Sequence, residues 1–170
     1  VFALFALLEA AGAVGFALLV LGLWRRSEHR RPASAFNAAA GVWLILGVAL
    51  GGLFALFPSL TDTEWVVAHG WINFLGFAGF EILGVTHEVL PPFTSLGLKV
   101  SRRVTHVDFL LANTGLAFLV VAFAASAAGL TAFFNVVSVA ALAILLAMAI
   151  LYASGTVWSL FGVVRSRPSK

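Results

Sequence analysis

The residues best placed to do chemistry in this chain stand in one stretch, WVVAHGWINFLGFAGFEILGVTHEVLPP (Trp65–Pro92), which holds His69, Asn73, Glu81, His87 and Glu88. The stretch is apolar and long enough to cross a bilayer. An ionisable side chain at mid-bilayer costs about 2.5–3.5 kcal/mol on insertion scales, so such residues face a protein interior and mark ligand sites, proton relays or helix pairing. Histidine offers a neutral nitrogen ligand to haem iron or a small metal, and a membrane carboxyl offers a proton. His69 and His87 are 18 positions apart, five α-helical turns and about 27 Å of rise. That spacing predicts two imidazoles projecting from one face, one near each membrane surface.

The elements that position them follow from composition. The chain is 62% hydrophobic and 10% charged, against about 25% charged in an ordinary soluble domain, so bilayer is its main solvent. A sequence pI near 10.2 would suit nucleic acid, but the placement of the charges excludes it. All ten Lys and Arg fall in three short segments: Arg25, Arg26, Arg30 and Arg31; Lys99, Arg102 and Arg103; Arg165, Arg167 and Lys170. Short basic loops of this kind set membrane topology. With no cysteine, disulfides, iron–sulfur clusters, thiolate ligation and covalent haem attachment are excluded.

The pattern predicts an all-α membrane protein, a five-transmembrane-helix bundle forming one integral membrane domain over 1–170. The helices are expected at about 1–24, 35–57, 64–90, 105–128 and 131–161. The opening run lacks a basic n-region and exceeds the length of a signal-peptide core, so it reads as a true span. Pro91 and Pro92 are expected to stop the third helix at Leu90, and Gly129 separates the fourth from the fifth. Basic segments follow helices 1, 3 and 5, whereas the loops after 2 and 4 carry no Lys or Arg. The expectation is an N-terminus outside and a C-terminus in the cytoplasm of a multi-pass cell-membrane protein.

That topology sorts the polar residues by depth. An outer level holds Glu9, His69 and Asn73; an inner level holds His87, Glu88, His106, Asp108 and Tyr152; Glu81 lies between them. His69, His87 and His106 are the candidate cofactor-binding and metal-binding residues, with Glu9, Asn73, Glu81, Glu88 and Asp108 as proton-carrying or supporting groups. His87 and His106, from adjacent helices, suit a bis-histidine b-type haem or a small metal with carboxylate ligands. Solvated side chains at the headgroup level are the alternative. His29 reads as a solvated loop residue, Asn113 and Asn135 as helix–helix contacts. Gly76, Gly79 and Gly84 leave room for either a neighbouring helix or a flat macrocycle.

An AHG at the outer start of a span, then Asn, spaced glycines, His and a closing Leu-Pro resembles the second helix of subunit I of haem–copper oxidases and nitric oxide reductases. The match is closest to the short subunit I-like membrane proteins. The positions that carry it are His69, Gly70, Asn73, Gly76, Gly79, Gly84, His87, Leu90 and Pro91. The resemblance implies that His69 is an axial ligand of a low-spin haem near the outer surface. It covers a single helix. The many further spans, the second haem ligand on a late helix and the paired histidines of the copper site have no counterpart here, which implies a relative without an oxygen-reducing centre.

The expected function is therefore a membrane haem-binding or electron-transfer subunit carrying haem b, a non-catalytic part of a redox complex of the respiratory chain. The alternative is a cofactor-free structural or assembly subunit of a larger membrane complex. A proton or small-solute carrier using Glu81 is a third class, without the inverted repeats that many carriers show. No nucleophile–base–orienter set or HExxH motif points to a membrane enzyme. The expected partners are other membrane subunits or a second copy, together with lipid.

Overall fold

The computed structural model describes residues 2–27, 32–57, 63–93 and 102–165, together with residues 59 and 61. The helices are α1 (Phe2–Arg26), α2 (Pro32–Leu56), α3 (Thr63–Trp71), α4 (Phe80–Phe93), α5 (Arg102–Ala127) and α6 (Thr131–Arg165). A π-helical segment, Ile72–Gly79, joins α3 to α4, so these three pieces form one continuous rod. Among the described residues there is no strand, and five helical rods are long and apolar enough to cross a membrane. His29 and Asp62 lie outside the described residues, as does the side chain of Glu88.

Local chemistry accounts for the boundaries. Pro32 opens α2, where its missing N–H costs nothing and its fixed φ suits the first turn. α5 ends in a Schellman motif: Gly129 adopts φ 75°, the Leu130 N–H donates to the Ala125 carbonyl at 2.8 Å and the Gly129 N–H to Ser126 at 2.9 Å. Those bonds satisfy carbonyls the helix end would leave bare. Pro91 and Pro92, expected to stop the third rod at Leu90, instead lie within the last turn of α4, which runs to Phe93. A proline φ near −65° fits helical backbone, so the prolines remove hydrogen bonds there without forcing an immediate break.

α2, the α3–π–α4 rod and α5 form the centre of the bundle, with α1 packed mainly on α2 and α6 mainly on α5. Only 6% of the α1 and α6 spans is buried, against 33% of α5, so the outer two helices turn most of their surface away from the bundle. Leu7, Leu18, Val136 and Leu146 are among the large apolar side chains on those surfaces. α5 is central because small residues line its buried face: Ala112, Gly115, Ala122 and Ala125. Such residues let helix backbones approach closely where hydrocarbon provides no hydrophobic drive. The core gathers Phe36 and Ala40 of α2, Phe80 of α4, Ala112, Leu116 and Leu119 of α5 and Ala141 of α6.

The π segment has a packing cause. A Cβ added at Gly76 would stand 2.8 Å from Trp43 Cβ and 3.0 Å from Leu116 Cδ2, so α2 and α5 both press into this glycine. Trp43 then reaches past it and donates from Nε1 to Asn113 Oδ1 at 3.2 Å, tying α2 to α5. Gly76→Ala should therefore destabilise the bundle by about 1–3 kcal/mol through overpacking. Gly22→Ala, where nothing lies within 4 Å of the new methyl group, should be neutral or add up to about 1 kcal/mol. Denaturant unfolding of both variants in detergent, followed by circular dichroism, checks this; equal midpoints would contradict the packing account.

Candidate functional site

The α3–π–α4 rod runs antiparallel to α2, and the polar residues of its first half lie against glycines of α2. A Cβ at Gly51 would stand 3.0 Å from His69 Cε1, and one at Gly47 would collide with the Asn73 amide. The two glycines are one turn apart, as are the two polar residues, so each pair meets at the same helical step. Asn73 donates from Nδ2 to the His69 carbonyl at 2.9 Å, at the turn where the π segment begins.

The same Nδ2 lies 3.3 Å from His69 Nδ1 and 3.2 Å from Nε2. An atom so nearly equidistant from both nitrogens cannot lie along either in-plane direction, where it would run into Cε1. It sits over the ring face. Phe54 adds an edge contact, with ring centroids 5.7 Å apart at 67°. The imidazole is thus held from above and from the side, and among the described residues no group meets either ring nitrogen in the ring plane.

His69 forms one wall of a cavity of about 540 Å³ between α1, α2 and the third rod, within the range of small-molecule and cofactor sites. Glu9 and Gly12 of α1, Gly51 and Gly52 of α2, and Asn73 line it as well. Phe16 and Phe77 bound it, in edge-to-face contact at 5.8 Å and 81°. The three residues that depth alone grouped at the outer level, Glu9, His69 and Asn73, line one cavity. Glu9 is exposed.

The other end of the rod is arranged differently. His87 and Asp108 approach to 3.6 Å between Nε2 and Oδ2, with side chains 2% and 0% exposed. His87 Nδ1 lies 2.8 Å from the Leu83 carbonyl. Phe36 stacks on the imidazole at 5.3 Å and 14°, and Tyr152 packs against it at 5.3 Å and 53°. His106 is exposed. It stands two positions before Asp108, about 200° around α5, so the residue that α5 brings to His87 is Asp108 and not His106. Among the described residues, no group of three or more His, Asp or Glu comes together to hold a metal ion.

Both imidazoles lean on α2, but their remaining surroundings differ. His69 opens on the cavity beside α1, whereas His87 turns to α5 and α6. The π segment lies between them, and an i→i+5 register advances each residue by less than the α-helical step. The room beside two of the glycines is taken by neighbouring helices: Trp43 and Leu116 fill it at Gly76, Asn37 and Phe36 at Gly84. At Gly79 a Cβ would meet only the carbonyl of Phe74 in its own rod. Glu81 follows the π segment half-buried, its Oε1 without a hydrogen-bond partner among the described residues. Asn113 back-bonds to the Phe109 carbonyl at 2.9 Å while accepting from Trp43.

Comparison of the chain with protein-family models, with curated proteins and with solved structures finds no match.

The buried pair has a measurable consequence for stability. Removing one member of a buried polar pair leaves the other without its partner, at a cost of about 1–3 kcal/mol, whereas replacing both with apolar residues can be nearly neutral. His87→Leu and Asp108→Leu should each destabilise by that amount, and the double variant should cost less than either single one. Unfolding midpoints of the four proteins check this; additive losses would show that the two side chains do not interact.

Proposed function

We propose that the chain is a membrane haem-binding or electron-transfer subunit, with the cavity at His69 as its cofactor site. The observation that carries the reading is the state of the His69 ring, fixed by Asn73, Gly51 and Phe54 with its in-plane nitrogens clear at the wall of a 540 Å³ cavity. An axial ligand needs a pre-oriented nitrogen facing open space, and a flat macrocycle needs walls that let it lie close to backbone. Gly12, Gly51 and Gly52 meet the second need, Phe16 and Phe77 give apolar ring contact, and the absence of cysteine leaves a non-covalent b-type haem as the fitting form.

In this reading His69 would hold the iron, and Glu9, which lines the same cavity, is a further candidate ligand from this chain. The group would supply one-electron chemistry; the protein's own residues orient it and exclude water. The basic residues at the end of α1 and the start of α5 support a topology with those ends in the cytoplasm and the N-terminus outside the cell membrane; His69 would then lie about 9 Å inside the outer end of its helix. The likeness of His69, Asn73, the glycines and His87 to subunit I of haem–copper oxidases agrees with this placement.

A second reading, a cofactor-free structural or assembly subunit of a larger membrane complex, is favoured by α1. Gly15 and Gly22 leave open space where a Cβ would stand, the kind of surface that receives a partner helix. A reduced-minus-oxidised spectrum and a pyridine haemochrome assay of the purified protein separate the two. We expect a b-type signal that His69→Ala abolishes and His106→Ala leaves intact. A featureless spectrum of folded wild-type protein would sink the haem reading and leave the scaffold.

A further inference from the structure

We infer that His87 and Asp108 form a proton-binding site inside the bundle, holding one proton between them. The inference stands on the basic-end geometry alone and is independent of the haem reading. Leu83 offers His87 a carbonyl oxygen at 2.8 Å, which accepts and cannot donate, so Nδ1 carries its hydrogen. The opposite nitrogen, Nε2, lies 3.6 Å from Asp108 Oδ2. With Nδ1 protonated, a neutral imidazole presents a lone pair there, and an ionised carboxylate presents another. Two lone pairs facing each other in a site 2% and 0% exposed would repel without water to screen them.

Asp108 leaves no second way out. Neither of its oxygens has a hydrogen-bond donor among the described residues, and a buried carboxylate without donors or a counter-charge is strongly disfavoured. One proton resolves both problems, as imidazolium beside carboxylate or as imidazole beside carboxylic acid. In either form the pair is neutral overall. The distance is ion-pair range and slightly beyond a hydrogen bond, so a closure of about half an ångström would bring the shared proton into one.

The surroundings favour a proton over a larger ligand. Phe36 covers one face of the imidazole and Tyr152 packs against it, and among the described residues no third His, Asp or Glu joins the pair to hold a metal ion. The groups that face His87 are Phe36 from α2, Asp108 from α5 and Tyr152 from α6; Thr105 is buried about one turn before Asp108 on α5. Glu81 lies on the same rod, and the Glu88 side chain is outside the described residues. Arg102, Arg103 and His106 stand exposed at the start of α5, and Asp108 is about 9 Å along that helix from Arg102.

The test is solid-state NMR of the full chain in lipid bilayers, with ¹⁵N-histidine, ¹³C-carboxyl aspartate and a ¹³C-carbonyl label at leucine. We expect His87 to show a protonated Nδ1 close to the Leu83 carbonyl, and one further proton correlated with both Nε2 and the Asp108 carboxyl. Asp108→Asn should remove that shared proton and keep the Nδ1–H. Wild-type spectra alone decide the matter if the variant does not fold. A His87 protonated only at Nε2, or a neutral His87 beside an ionised Asp108, would overturn the proposal.

Discussion

A polar side chain inside a membrane span must be satisfied by protein, and the contact between α2 and the first half of the third rod is where this chain meets that demand. Gly47 and Gly51 remove side chains at the two points where Asn73 and His69 need space. Without those glycines the two helices could not stay close with an imidazole and an amide between them. α1 packs on α2 beyond this contact, and the gap it leaves becomes the cavity. The site is a by-product of a packing solution: His69 is held, yet not consumed by its holders.

The two histidines of the rod show two outcomes of the same demand. At His69 the ring is gripped by face and edge, which leaves its nitrogens available for a ligand. At His87 both nitrogens are engaged, one by the Leu83 carbonyl and one by Asp108, and aromatic rings close the space around them. A ligand function is therefore what we propose for the first and a proton function for the second. The π segment between them, pressed by Trp43 and Leu116 at Gly76, is the structural joint that gives each half of the rod its own neighbours. π-helical insertions are frequent at functional sites, and here the insertion begins at the turn that carries His69 and Asn73.

Much of the fold was legible in the residues. Apolar run lengths give five membrane-length rods, Gly129 announces the end of α5, and alternating basic loops sort Glu9, His69 and Asn73 to one depth. Depth is a one-dimensional quantity that chain order supplies. Azimuth is not, because the rotation of each helix depends on which small residues its neighbours offer. That is why His106, matched to His87 in depth, faces outward while Asp108 turns in: the row Ala112, Gly115, Ala122 and Ala125 fixes the rotation of α5. The π segment left no local signal either, since INFLGFAG contains no breaker and the cause lies on other helices. The prolines after Leu90 were a misleading signal, for their backbone angles suit the final turn of α4.

The central claim is that the cavity beside His69 receives a flat, iron-bearing ligand, and reconstitution tests it most directly. Purified protein lacking haem would be titrated with haemin, alongside a Gly52→Leu variant. Gly52 lines the cavity and has nothing within 4 Å of an added Cβ, so the leucine fills the space while leaving His69 and Asn73 in place. The account predicts saturable one-site binding to the wild type and binding at least about tenfold weaker in the variant, a difference of about 1.4 kcal/mol. Equal affinity in the two proteins would show that haemin binds elsewhere and would contradict the account.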